Sequence, residues 1–248
     1  MNSVWRWCLQ WGIPHVFMAR SRRWVQVLAV LTLALLAIGS VWSLGFAPAD
    51  YQQGETYRIL YVHVPAAWMS LMIYAVMTLS AVVYWVWKIR MASVLLIASA
   101  GLGAMFTAVA LVTGALWGKP MWGTYWIWDA RLTSELILLF IYLGIMALHQ
   151  AFERPEQARS AVALMTLIGS VNIPIIHYSV QWWNTLHQGA SVSVMNGSAM
   201  HPEMLWPLLV MAFAFKAFYA WIVLVTMQTQ LIREDQGLSW VRKEVEHG

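Results

Sequence analysis

Residues 92–131 read ASVLLIASAGLGAMFTAVALVTGALW and then GKPMWGTYWIWDAR. The first part carries no charged side chain from Ala92 to Trp117. One helical crossing of a bilayer needs about 20 apolar residues, so this stretch predicts a membrane-spanning helix. The second part is a turn built from large flat rings: Trp117, Trp122, Trp126 and Trp128 with Tyr125, ending on Asp129 and Arg131. Turns exposed to water are ordinarily polar. A ring-rich turn suits either the membrane interface, where tryptophans form a belt, or a flat apolar ligand with charged edges.

Working outward, five more apolar runs have comparable length: 24–46, 64–87, 132–149, 160–182 and 203–230. The 248 residues are 60% hydrophobic and only 10% charged, where soluble domains carry roughly 25% charge. The expected fold is therefore an all-α integral membrane protein of six transmembrane helices, one polytopic domain over 1–248. It divides into an N-terminal interfacial segment (1–23, with Trp5, Trp7 and Trp11), a six-helix bundle (24–230) and a tail (231–248). Small residues at Ala98, Ser99, Ala100, Gly101, Gly103 and Ala104 predict close approach to neighbouring helices and a central place for the 92–116 helix. Pro174 predicts a kink in the fifth run.

The net charge of +4 is not a nucleic-acid signal, because the cations lie at helix ends. With the N-terminus inside, the inner loops hold Arg6, Arg20, Arg22, Arg23, Lys88, Arg90, Arg154, Arg159, Arg233, Arg242 and Lys243. The outer side holds Arg58, Lys119 and Arg131. This positive-inside bias predicts cytoplasmic termini and places the tryptophan loop, about 117–132, on the outer face, the periplasm of a bacterium. Ala47-Pro-Ala49 has the look of a signal-peptidase site, but the run before it exceeds a signal core, so the first helix is expected to be retained. Cys8 is the one cysteine, which excludes an intrachain disulfide and covalent haem attachment through Cys-x-x-Cys-His. Gly114 to Pro120 is one residue short of a phosphate loop and has proline where magnesium needs a hydroxyl, so no ATPase motif is present.

Four of seven histidines, His63, His177, His187 and His201, fall on the outer side. His63 begins the second helix and His187 follows the fifth, at the same predicted depth as the tryptophan loop. Two imidazoles from different helices could clamp an iron, with rings enclosing a haem and Arg58, Lys119 or Arg131 meeting its propionates. The plainer alternative is that both histidines hydrogen-bond between helices at the interface. Trp122 and Trp126, four apart, share a face and form a platform if the loop is helical. Asp129 can cap the following helix, and Arg131 can pair with Asp129 or Glu135. Zinc is disfavoured because no His-x-x-His or cysteine pairing exists, and His177 is expected to be structural or to support the ligands. Lys216, in mid-helix, has no acid of its own chain at that depth.

The run Trp-Gly-x-x-Trp-x-Trp-Asp-x-Arg-Leu, Trp122 to Leu132, resembles the tryptophan-rich signature of haem-handling proteins of cytochrome c maturation. The pieces around it are similar to the CcmC family: Phe46-Ala-Pro-Ala-Asp-Tyr-Gln-Gln53, Tyr61-Val-His-Val-Pro-Ala-Ala67, Trp117-Gly-Lys-Pro-Met-Trp-Gly123 and His177-Tyr-Ser-Val-Gln-Trp-Trp-Asn-Thr-Leu-His-Gln188. The resemblance implies non-covalent haem b with His63 and His187 as axial ligands, and Trp117, Trp122, Trp126, Trp128 and Asp129 as its platform. It also implies haem presentation to the chaperone CcmE, ABC-type subunits CcmA and CcmB, and the small membrane protein CcmD. Arg58 and Arg131 as propionate contacts are inferred from position. Such a protein is a haem-handling platform rather than a classical enzyme. The competing functions are a haem-exporting permease subunit of an ABC-type transporter complex, a bis-histidine electron-transfer protein, and a structural anchor contacting only lipid.

Overall fold

A computed structural model describes residues 10–183, 185–187, 192–193, 197–198 and 200–242. Trp5, Trp7, Cys8 and the last six residues, 243–248, lie outside them. The chain is a helical multi-pass membrane protein. Six helical stretches are long and apolar enough to cross a membrane. The helices are α1 (Pro14–Val41), α2 (Leu60–Trp87), α3 (Arg90–Trp122), α4 (Ala130–Gln150), α5 (Pro155–Gly169), α6 (Asn172–Trp182) and α7 (Pro202–Glu234). A single π-turn, Trp42–Phe46, ends α1, and a 3-10 turn, Glu55–Ile59, leads into α2. Two-residue strands Val192–Ser193 and Gly197–Ser198 pair antiparallel in the loop before α7.

The bundle has two unlike ends. At the basic end, α2 and α3 are joined by Lys88 in the left-handed region (φ 56°) and Ile89. Arg90 bonds Glu234 (3.0 Å) and Asp235 (2.8 Å), and Arg159 bonds Glu234 (2.6 Å), tying α3, α5 and the end of α7 together. The other end carries the tryptophan loop, His63 and His187. Residues 14–23, part of the expected N-terminal interfacial segment, are the first turns of α1. Phe17, Met18 and Ser21 are buried there, and Gln228 of α7 donates to Ser21 Oγ at 2.8 Å. An apolar face continuous with the span lets one helix run through.

Helix α3 is the most buried span, as its small residues predict. Gly103 shows why. A Cβ there would lie 2.1 Å from Tyr142 Cε1 of α4, so only glycine admits this approach. Tyr142 then donates to the Ser70 carbonyl of α2 (2.7 Å), and Tyr74 of α2 donates to the Thr166 carbonyl of α5 (3.0 Å). The two tyrosine rings meet edge-on at 5.2 Å. In lipid, where apolar burial between helices drives little, such close packing and interhelical hydrogen bonds hold the bundle.

The fifth span is broken rather than gently kinked. Helix α5 ends at Gly169 and α6 starts at Asn172. Pro174 has no N–H for the Ser170 carbonyl, and its ring crowds that carbonyl, so the break falls one turn before the proline. Asn172 reaches across the break and donates to the Ser134 carbonyl of α4 (2.9 Å), which anchors α6 beside the site. Lys216 is exposed on the outer surface of α7, over the ring of Phe213.

Candidate functional site

His63 stands in the first turn of α2 and lies across one face of α3. Its Nδ1 is 3.0 Å from the Ala110 carbonyl and 3.1 Å from Thr113 Oγ1. Its ring meets Trp117 edge-on at 5.7 Å. Ala110, Thr113, Gly114 and Trp117 follow the i, i+3, i+4, i+7 spacing of a single helix stripe. Gly114 is the space for the imidazole, since a Cβ there would sit 3.0 Å from His63 Cε1. The glycine that falls short in a phosphate loop thus seats a histidine. Trp117 is fixed in turn by Nε1 donating to Gln53 Oε1 (2.9 Å) and by an edge contact with Tyr57 at 6.2 Å.

His187 is placed from the other side. Its Nδ1 is 2.8 Å from Asp129 Oδ2 and 3.1 Å from Thr185 Oγ1, and Thr185 Oγ1 donates to the same carboxylate oxygen. The other carboxylate oxygen, Oδ1, accepts from the Leu132 N–H (2.8 Å) and caps α4. Asp129 therefore holds a helix start and an imidazole at once. The His187 ring meets Trp122 edge-on at 4.8 Å. Burial depresses the His187 pKa, and the Asp129 charge opposes this without overcoming it. Burial alone would raise the Asp129 carboxyl, but the bonds from Thr185 and Leu132 and the proximity of His187 hold it below its ordinary value. At neutral pH this gives a neutral imidazole with Nδ1–H donated to a carboxylate.

Both histidines thus spend Nδ1 on the protein. Among the described residues, Nε2 of each has no hydrogen-bond partner. Anchoring one ring nitrogen to a carbonyl or carboxylate is how a metal-ligating imidazole is oriented. The two rings and Arg131 lie within electrostatic range of one another. Trp117 and Trp122, the partners of the two histidines, both belong to the last turns of α3.

The tryptophan loop is not one helix. Gly123 takes φ 79°, ends α3 at Trp122 and turns the chain; residues 126–129 are irregular. Trp122 and Trp126 do not share a helical face. Trp126 and Trp128 instead meet edge-on at 5.4 Å, with Trp128 77% exposed and Trp126 Nε1 buried without a hydrogen-bond partner among the described residues. Lys119 donates to the Gly123 carbonyl (3.0 Å) and covers Tyr125, so it braces the turn.

The arginines separate. Arg58 donates to the Ser43 carbonyl (2.7 Å) and pairs with Glu55, which fastens the 3-10 turn to the end of α1. Arg131 forms no ion pair with Asp129 or Glu135 among the described residues; its Nε donates to Ser179 Oγ at 3.3 Å, leaving Nη1 and Nη2 available. His177 is exposed with its ring edge-on to Tyr178, and His201 is exposed near Glu203. The described residues contain no cluster of three or more metal-holding His, Cys, Asp or Glu side chains. Thr113, Thr185 and Gln53 were not foreseen; Thr185, two residues before His187, carried the one local signal.

The family described as CcmC, heme exporter protein C, matches residues 7–242. The chain belongs to the CcmC family. Heme exporter protein C of Haemophilus influenzae is 47% identical over 239 residues, covering 96% of this chain and 97% of that protein. Heme exporter protein C of Escherichia coli K12 is 46% identical over 238 residues, 96% of each. A putative cytochrome c biosynthesis ccmC-like mitochondrial protein of Marchantia polymorpha is 46% identical over 219 residues, 88% of this chain and 92% of that protein. The CcmC match spans all six membrane-crossing stretches and both histidines.

Proposed function

We propose that this CcmC-family chain binds haem b non-covalently at the aromatic end of its bundle, with Nε2 of His63 and Nε2 of His187 as axial ligands. In this reading it lies in the bacterial inner membrane with that end toward the periplasm. There it presents haem to the chaperone CcmE for covalent attachment during c-type cytochrome biogenesis, alongside CcmA, CcmB and CcmD. Family membership supports a haem-handling role in cytochrome c maturation.

The observation that carries the proposal is the matched anchoring of two imidazoles from different parts of the chain. Each has Nδ1 engaged, Nε2 without a partner and a tryptophan edge-on to its ring. That donor set fits haem. His63 and His187 would hold the iron of a bound haem through Nε2, and a cation would meet its propionates. Within the chain, Asp129 and Thr185 aim His187, Ala110 and Thr113 aim His63, and Trp117 and Trp122 exclude water beside them. Arg131 is the better propionate contact, because it lies within electrostatic range of both histidines with Nη1 and Nη2 available, whereas Arg58 is held to Glu55 through Nε and to Ser43 through Nη1. Trp128 of the tryptophan loop is exposed, a surface where a partner can meet the haem edge. The chain then contributes position rather than a nucleophile.

Reconstitution tests this reading. The purified chain loaded with haemin is mixed with CcmE under reducing conditions, and covalent haem on CcmE is followed by haem-stained gels. The expected result is transfer that falls at least about tenfold with Arg131→Gln, through misorientation rather than loss of haem. Normal transfer by that variant would remove the propionate role. The word exporter in the relatives' names keeps one alternative in view, a permease moving haem across the bilayer. In sealed vesicles the platform loads from haem supplied at the aromatic end; loading that requires haem at the basic end would favour the permease.

Haem binding should also resist mild acid. Iron needs the neutral imidazole, and the depressed His187 pKa keeps that form present above the depressed value, to be lost only as pH falls through it. Bis-imidazole absorbance is expected to stay level from pH 8 to about 6.5, the ordinary imidazole value, and to decline below it. Half-loss above about 6.5 would contradict the electrostatics of the site.

A further inference from the structure

At the basic end, α4 and α7 both pack on α3 but leave a cleft of about 500 Å³ between them. Its floor is the small-residue stretch of α3 around Ala98 and Gly101. A Cβ on Gly101 would have Met146 Cε as its nearest neighbour, at 3.9 Å, so the floor is open there. The deep walls are apolar, Ile222 of α7 and Met146 of α4. Thr226 of α7 lies between, its hydroxyl donating to the Ile222 carbonyl, and the other polar groups sit at the mouth: His149 and Gln150 end α4, and Arg233 is next to last in α7.

Three features identify the occupant. From Arg233 up to Ile222, or from the start of α3 to Gly101, is eleven residues, about 16 Å of helix rise, close to half the ~30 Å hydrocarbon thickness. The cleft therefore reaches one leaflet deep. Arg233 is exposed and has no ion-pair or hydrogen-bond partner among the described residues, while its neighbour Glu234 is neutralised by Arg90 and Arg159. The charge at the mouth is thus a free cation over an apolar slot. A haem would need its axial ligand in the apolar depth, but His149 is at the mouth with Nδ1 buried.

We propose that this cleft binds one anionic phospholipid of the leaflet at the basic end, with an acyl chain along α3 and the phosphate at Arg233 beside His149. Basic pockets between transmembrane helices hold anionic headgroups in this way. The site is separate from the histidine pair at the opposite end and does not depend on what that pair binds.

Native mass spectrometry of the detergent-purified chain tests it, using phosphatidylglycerol and phosphatidylethanolamine with matched dioleoyl chains, and haemin as a third probe. One phosphatidylglycerol is expected to be retained in preference to phosphatidylethanolamine. Arg233→Gln should lower its retention about fivefold, the equivalent of about 1 kcal/mol for one arginine at an anionic surface. Gly101→Leu should fill the floor and remove the lipid while leaving the monomer folded by gel filtration. Arg242→Gln, an equal charge change at the same end outside the cleft, should change nothing. Equal retention of the two lipids, or equal loss with Arg242→Gln, would overturn the proposal. So would haemin retention that falls with Arg233→Gln and His149→Ala but survives His63→Ala.

Discussion

Alanine in place of either His63 or His187 is expected to abolish the bis-imidazole spectrum and to cut co-purified haem by about tenfold or more. The two rings come from α2 and from the loop after α6, and each is oriented through Nδ1 by partners the other does not share. Neither can replace the other. Both axial bonds contribute to holding an otherwise non-covalent ring, so one loss leaves an iron with a single protein ligand. The fold should survive, because the close approach at Gly103 and the Tyr142 and Tyr74 hydrogen bonds that join the helices do not involve His63. Free imidazole added to the alanine variants should restore part of the absorbance by entering the vacated place. Haem content unchanged in both variants would remove the axial assignment, whereas loss in only one would leave a single-ligand site.

The second large effect is expected at Asp129, where two substitutions separate two functions of one carboxylate. Asp129→Ala removes both the α4 cap, worth about 0.5–2 kcal/mol, and the acceptor for His187 Nδ1. Asp129→Asn keeps a good capping side chain but loses the charge that makes His187 a stronger ligand. Haem affinity is therefore expected to fall about 10–100-fold in both variants, as for other partners that orient a ligating histidine. Thermal stability should fall only in Asp129→Ala. Weaker electron donation from His187 should also raise the iron reduction potential in Asp129→Asn. Equal affinities for wild type and Asp129→Asn would reduce this residue to a helix cap.

The pairing of Asp129 with His187 marks where reading along the chain stops. Asp129 was legible as a cap because it precedes an apolar helix, and as part of the tryptophan signature. Its second partner is 58 residues away in sequence, and no periodicity connects them. The reading of Trp122 and Trp126 on one shared helical face failed for a local reason. Gly123 adopts a positive φ, which ends the helix between them. Arg58 looked equivalent to Arg131 by depth and charge alone. The packing of a 3-10 turn on the end of α1 commits it to Ser43 and Glu55.

By itself the sequence determined the membrane class, the number of spans and the central place of α3. Hydrocarbon admits only backbone that satisfies its own hydrogen bonds, so length and apolarity suffice for spans, and small side chains mark close helix approach. It also singled out the two histidines, through short motifs. Only the tertiary structure decided that the last turns of α3 carry the tryptophan facing each histidine, and that both Nδ1 atoms are spent within the protein. It alone put Arg131 within electrostatic range of both histidines and tied Arg58 to Ser43 and Glu55. These are contacts between groups remote in sequence, and they depend on crossing positions set by Gly103, Gly114 and Asn172 within the packed bundle, which no single stretch encodes.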